Sequence, residues 1–119
     1  MTTPGSPPTM APADLLIGLL ERVPISEAQI ARATQAEPET IQAWLRRREA
    51  PAGLEAQRLI ELVAFVEEMA RNIRAAALVE WLDRDIDFLQ GANPLDELAD
   101  GGYERLIQLA LGLTYGVFT

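Results

Sequence analysis

The sequence predicts an all-α fold, and three observations predict it. Apolar residues recur at three- and four-residue spacing in one stretch after another, which is the helical period. Helix-start residues stand just ahead of several of these stretches: Ser26, Pro38 and Pro94. Breakers follow them, at Pro24, at Pro51 to Gly53 and at Gly101-Gly102. With 119 residues, 49% hydrophobic and 24% charged, the chain suits one globular domain or two small subdomains sharing a core.

Residues 1–12 hold four of the eight prolines with Gly, Ser and Thr, and read as a disordered tail. Residues 13–22 place Leu15, Leu16, Leu19 and Leu20 on one helical face, and Pro24 ends that helix. Residues 26–34 start at Ser26 as N-cap, with Glu27 in the first turn where it favours the helix dipole. Ile30 is the expected core anchor there, with Ala28 and Ala31 permitting close packing. After a short connection, Pro38 suits the first position of a helix whose inward face is Ile41, Trp44 and Leu45.

Two short helices joined by a tight turn, behind a first helix, form a helix-turn-helix pattern. The pattern resembles the Xre/Cro-like DNA-binding fold, with a small residue, Ala31, in its first helix and Ile41 and Trp44 in the recognition helix. It departs at Arg47, where that family often has Gly, so the helix is expected to run on to Arg48. Thr40, Gln42, Arg46, Arg47 and Arg48 are the candidate DNA contacts, to base edges and phosphates. Against them, Glu37 and Glu39 at the helix start would face phosphate oxygens. Operator binding and a scaffold role, with the arginines a solvated cluster, both stay open.

Residues 54–73 form the longest helix, with Leu59, Leu62, Val63, Val66, Met69 or Ala70, and Ile73 in its stripe, Phe65 and Ile60 widening it, and Glu67, Glu68 and Arg71 on the wet side. It links the two halves; a homodimer through the wide stripe is the competing reading. Residues 75–83 are amphipathic through Leu78, Val79, Trp81 and Leu82. Asp83, Asp85 and Asp87 alternate like the opening of a calcium loop, but Phe88 and Pro94 fall where the loop needs Gly and Glu, so calcium is rejected. Gln90 to Pro94 is a turn, and Pro94 to Ala99 a short helix. The last helix comes after Gly101 and Gly102, with Glu104 answering a cap at Gly101. From Leu106 it is apolar nearly all round, so its end needs burial in this protein's core, in a homodimer or on another protein.

Composition removes whole classes of function. There is no Cys, so disulfides and zinc–thiolate sites are excluded. His, Cys and Lys are all absent, and the two serines lie in the tail and at a helix cap, which argues against catalysis. No cofactor or metal site is expected. The net charge is −8, and the acids concentrate in the second half: eleven against four arginines over 61–119, compared with seven against six over 1–60. A generic nucleic-acid coat is disfavoured. No signal peptide is visible at the start of the sequence and no apolar run nears the about 18 residues a bilayer span needs, which makes the cytoplasm the expected location.

From about residue 79 the features fall in a recognisable order. A Trp helix leads to a turn at Leu89 to Gly91; then come Asn93-Pro94, a Pro-Leu-x-x-Leu helix, a Gly102-Tyr103-Glu104 start and an apolar helix ending Gly116-Val117-Phe118. With Arg58 to Leu62 (RLIEL) in the linking helix, this resembles the toxin-binding domain of the Xre/MbcA/ParS antitoxins. The resemblance divides the chain into a tail (1–12), an Xre-like helix-turn-helix unit (13–53), a linking helix (54–73) and a toxin-binding domain (74–119). It implies a RES-domain, NAD-consuming toxin as partner. It also implies a mechanism without chemistry: the end of the chain, Tyr115, Gly116, Val117, Phe118 and Thr119, occludes the toxin's NAD pocket, with Phe118 as the buried anchor. Autoregulation of an operon through operator DNA is the associated expectation. The alternative is a stand-alone regulator that dimerises through its C-terminal half.

Overall fold

The computed structural model describes residues 11–71, 73–84 and 93–115, with side chains as far as 110. Seven helices and no strand occur among them: α1 (Pro12–Arg22), α2 (Glu27–Thr34), α3 (Pro38–Leu45), α4 (Gly53–Ala70), α5 (Ala75–Leu82), α6 (Pro94–Ala99) and α7 (Tyr103–Tyr115). The all-α expectation holds.

The helix starts agree closely with the sequence. Pro12, Pro38 and Pro94 each occupy a first-turn position, where a missing N–H costs nothing. Ser26 caps α2, and its Oγ accepts from the Gln29 backbone N–H at 3.1 Å while Gln29 Oε1 accepts from the Ser26 N–H at 2.9 Å. Asn93 caps α6 through Oδ1, which accepts from the Leu95 N–H at 2.8 Å.

The long helix α4 ends at Ala70, short of Ile73, and two further helix junctions differ from the sequence reading. α3 does not run on to Arg48; it stops at Leu45. Arg47 takes the left-handed conformation, φ 57°, that Gly would take, and the Arg48 and Arg47 N–H groups close back onto the carbonyls of Ala43 and Trp44. The closing geometry is that of a Schellman motif, so the backbone ends the helix there without its usual residue. Second, Gly101 is not the cap of α7. At φ 87° it ends α6, with the Gly102 N–H bonded to the Glu97 carbonyl at 2.8 Å, and α7 starts at Tyr103. With Gly102 just ahead of the helix, the residue three positions further on is Arg105, so Glu104 does not complete a capping box.

The Arg47 geometry has a measurable consequence. A Cβ in the left-handed region costs about 1–2 kcal/mol, and the ion pair from Arg47 to Asp14 is exposed and worth less than that. Arg47→Gly is expected to melt higher than Arg47→Ala by about 1 kcal/mol of stability, since both lose the ion pair and only Ala keeps the Cβ. Equal melting of the two would count against the left-handed turn.

α4 is the spine: it packs on α1, α2, α5, α6 and α7. Its buried Leu59, Leu62, Val63, Phe65, Val66 and Met69 spread over nearly half its circumference, wide enough to face several neighbours. Phe65 belongs to that stripe, but Ile60 does not, being 45% exposed. The six buried side chains are consumed inside the chain. One continuous core joins Leu16 and Leu19 of α1, Ile30 of α2, Ile41 and Trp44 of α3, Leu78 and Leu82 of α5, Leu95 and Leu98 of α6, and Leu106 of α7. Ala28, expected at a close packing point, is exposed; Ala33 takes that place, fully buried.

Candidate functional site

The helix-turn-helix is present. α2 and α3 pack together across a three-residue turn, Gln35 to Glu37, in which Gln35 is left-handed (φ 63°). The buried Thr34 hydroxyl donates to the Ile30 carbonyl at 2.7 Å and accepts from the Ala36 N–H at 3.3 Å, which locks the turn. On α3, Thr40 and Gln42 are half-buried and Arg46, Arg47 and Arg48 are exposed. Two of these five side chains are already engaged. The Gln42 amide donates to Glu27 of α2, and the Arg47 guanidinium pairs with Asp14 of α1. Over residues 37–49 the three arginines meet three exposed glutamates, Glu37, Glu39 and Glu49, so the recognition surface is neutral. Phosphate binding needs a positive surface.

The second sequence-predicted site lies at the end of the chain. Leu106, Leu109 and Ala110 of α7 enter the core, with Glu104, Arg105 and Gln108 exposed, so the described part of this helix is amphipathic. Gly116, Val117, Phe118 and Thr119, and the side chain of Tyr115, lie outside the described residues, as do Asp85 and Asp87. Among the described residues no group of His, Cys, Asp or Glu could hold a metal, and no helix is long and apolar enough to cross a membrane.

A hollow of about 340 Å³ opens between α1, α4 and the start of α5, floored by Leu19, Val23 and Ile73 and rimmed by Arg22, Arg71 and Arg74. Arg22 is tied to Glu67 at 2.5 Å and Arg71 to Glu68 at 3.1 Å. Two of the three rim cations are thus answered by neighbours.

What sequence reasoning missed is the set of polar side chains that join the two halves. Gln29 is 6% exposed, and beyond its cap its Nε2 donates to the Val79 carbonyl at 3.1 Å and to Asp83 Oδ2 at 2.8 Å. Arg32 grips Asp96 with two bonds of 2.7 Å. Arg58 Nε donates to the Ala99 carbonyl at 3.1 Å, and its Nη1 pairs with Glu61 at 3.0 Å. The Ser-x-x-Gln spacing was the one visible signal, and it shows only the capping half of the Gln29 role.

The Arg32 hydrogen bonds hold the Asp96 carboxyl below its ordinary value of 3.8, against the opposing pull of burial. Stability from this clamp is therefore complete above pH 3.8 and is lost as pH falls through the lower folded-state value. Both side chains are nearly half exposed, so the clamp is worth about 1 kcal/mol or less. The stability gap between the natural chain and Asp96→Asn is expected to narrow in acid melts below about pH 4; a gap unchanged down to pH 2 would rule the clamp out. Burial, then the charges of Glu104, Glu68 and Glu61, raise the Tyr103 hydroxyl above 10.0, which marks an acidic setting where α7 begins.

The fold and its surfaces define a class: a small all-helical protein with a helix-turn-helix in its first half, a helical second half locked onto it, and no catalytic constellation among the described residues. No protein-family model matches the chain. It is similar to the mycobacterial cidal antitoxin MbcA of Mycobacterium bovis, at 26% identity over 106 residues, covering 89% of this chain and 94% of MbcA. The same figures hold for MbcA of Mycobacterium tuberculosis. The structure matches a chain of the crystal structure of the M. tuberculosis MbcT–MbcA toxin–antitoxin complex with a TM-score of 0.79 and 25% identity, covering 93% of this chain and all of that one. The chain is homologous to the MbcA antitoxins and shares their fold.

Proposed function

We propose that this protein is an antitoxin that binds and neutralises a cognate toxin, and that the toxin is a RES-domain enzyme that consumes NAD. The observation that carries the reading is likeness along nearly the whole chain, in sequence and in fold, to a protein solved in a toxin–antitoxin complex. The mechanism is steric. α7 is anchored in the core by Leu106, Leu109 and Ala110, and residues 115–119 extend the contact to the toxin's NAD pocket, with Phe118 as anchor. An acidic second half suits a toxin surface that binds a dinucleotide phosphate. The helix-turn-helix is a scaffold in this reading, supported by its neutral surface and its internally engaged Gln42 and Arg47.

The test is co-expression with the product of the adjacent reading frame, comparing the full chain with one ending at Leu113 and following cellular NAD and co-purification. The full chain is expected to bind the neighbour and preserve NAD, and the shortened chain to lose both. Equal protection by the two would remove the terminal contact while leaving the antitoxin reading. No binding at all would remove the antitoxin reading, and a mobility shift of the upstream DNA by the protein alone would then put the stand-alone regulator in its place.

A further inference from the structure

The elbow between α6 and α7 is made of two glycines, and both are crowded. A Cβ on Gly101 would lie 2.9 Å from Arg58 Nη2, and one on Gly102 would lie 2.1 Å from Glu97 Oε2. Glycine at φ 87° lets the chain turn back on itself but does not choose the angle, because glycine tolerates a wide range of conformations. Something outside the elbow must choose it. Beyond the elbow α7 is held by buried Leu106, Leu109 and Ala110, with Tyr103 and Ile107 partly buried against the core.

Arg58 is placed to do so. Its side chain is 14% exposed, unusual for an arginine on a spine helix. Nε bonds the Ala99 carbonyl, one of the unpaired acceptors at the C-terminal end of α6, where a cation also meets the negative end of the helix dipole. Nη1 is held by Glu61, one turn along α4, and Nη2 occupies the space beside Gly101, 2.9 Å from where a Cβ would stand. The planar fork thus touches α4, the end of α6 and the elbow at once. Lysine, with one point charge, cannot reproduce that arrangement.

We propose that Arg58 is the positioning residue that aims α7, and so sets how the partner-binding end of the chain is presented. The part concerning the partner rests on the antitoxin reading; the part concerning α7 does not.

The chain has no cysteine, so Glu21→Cys on α1 and Gln108→Cys on α7, both exposed, accept spin labels without background. Pulsed dipolar spectroscopy on the doubly labelled full chain is expected to give one narrow distance distribution. Arg58→Met is expected to broaden or shift it at a temperature well below the variant's own melting midpoint, and Arg58→Lys to restore it only in part. An unchanged distribution in Arg58→Met overturns the proposal; if that variant does not fold, an unchanged distribution in Arg58→Lys does so. In the unlabelled chain, affinity for the adjacent-frame product is expected to fall about tenfold in Arg58→Met. Unchanged affinity beside a shifted distribution overturns the link to the partner. If the natural chain binds no such product, the antitoxin reading fails, and the distance measurement still decides the role of Arg58.

Discussion

Phe65→Ala is expected to lower the unfolding free energy by about 4 kcal/mol, a large share of the stability of a domain this size. Phe65 is fully buried on α4 and its ring stacks on Trp81 of α5, with centroids 6.0 Å apart and planes 21° from parallel. Truncation removes the transfer energy of the ring, opens a cavity beside the spine and ends the aromatic contact, which alone adds about 0.5–1.5 kcal/mol. Domains of this size are stable by about 5–15 kcal/mol, so the melting midpoint should drop by on the order of 20 °C. A thermal melt monitored by circular dichroism gives the value. A loss under about 1 kcal/mol would mean that α5 does not rest on α4 through this ring. Trp81→Leu in both backgrounds should show a coupling of about 1 kcal/mol, confined to this pair.

Gln29→Ala is expected to cost about 3 kcal/mol although it removes no large apolar group. Three hydrogen bonds go at once: one from the Ser26 N–H, and those to the Val79 carbonyl and Asp83. Their partners lose an amide that is itself 6% exposed, so part of the loss is the cost of polar groups left without their partner. Gln29→Glu separates the two roles of the side chain. A carboxylate still accepts from Ser26, but it then faces the Val79 carbonyl and the Asp83 carboxylate with no donor to offer. It should be at least as destabilising as alanine in urea titration at pH 7, and the deficit should shrink as the pH falls toward 4. If Gln29→Glu were as stable as the natural chain, the bridge from α2 to the end of α5 would not exist in solution.

Much of the fold was legible in the chain because its signals are local. Helix starts at Pro38 and Pro94 and the cap at Ser26 depend on residues one to three positions apart. The apolar stripes of α1, α3 and α4 depend on a period that the sequence displays directly. The arginine run was legible as charge but not as a surface: that Gln42 turns to Glu27 and Arg47 to Asp14 depends on partners 15 and 33 positions away. The end of α3 was misjudged for a related reason. Arginine at position 47 carries no local signal for a left-handed conformation, and the turn is imposed by the path the chain must take from α3 to the start of α4.

The sequence by itself determined that this protein is a string of short helices around one long one, acidic toward its end and without the side chains that catalysis most often uses. Those properties come from composition, period and nearest-neighbour chemistry. Only the tertiary structure decided that the two halves form one core, and that Gln29, Arg32 and Arg58 fasten one half to the other across 50, 64 and 41 positions. The reason is physical. An amide or guanidinium on the wet edge of a helix looks the same in a sequence whether water or a distant carbonyl answers it, and only the packing of α2, α4, α5 and α6 brings those carbonyls and carboxylates within reach.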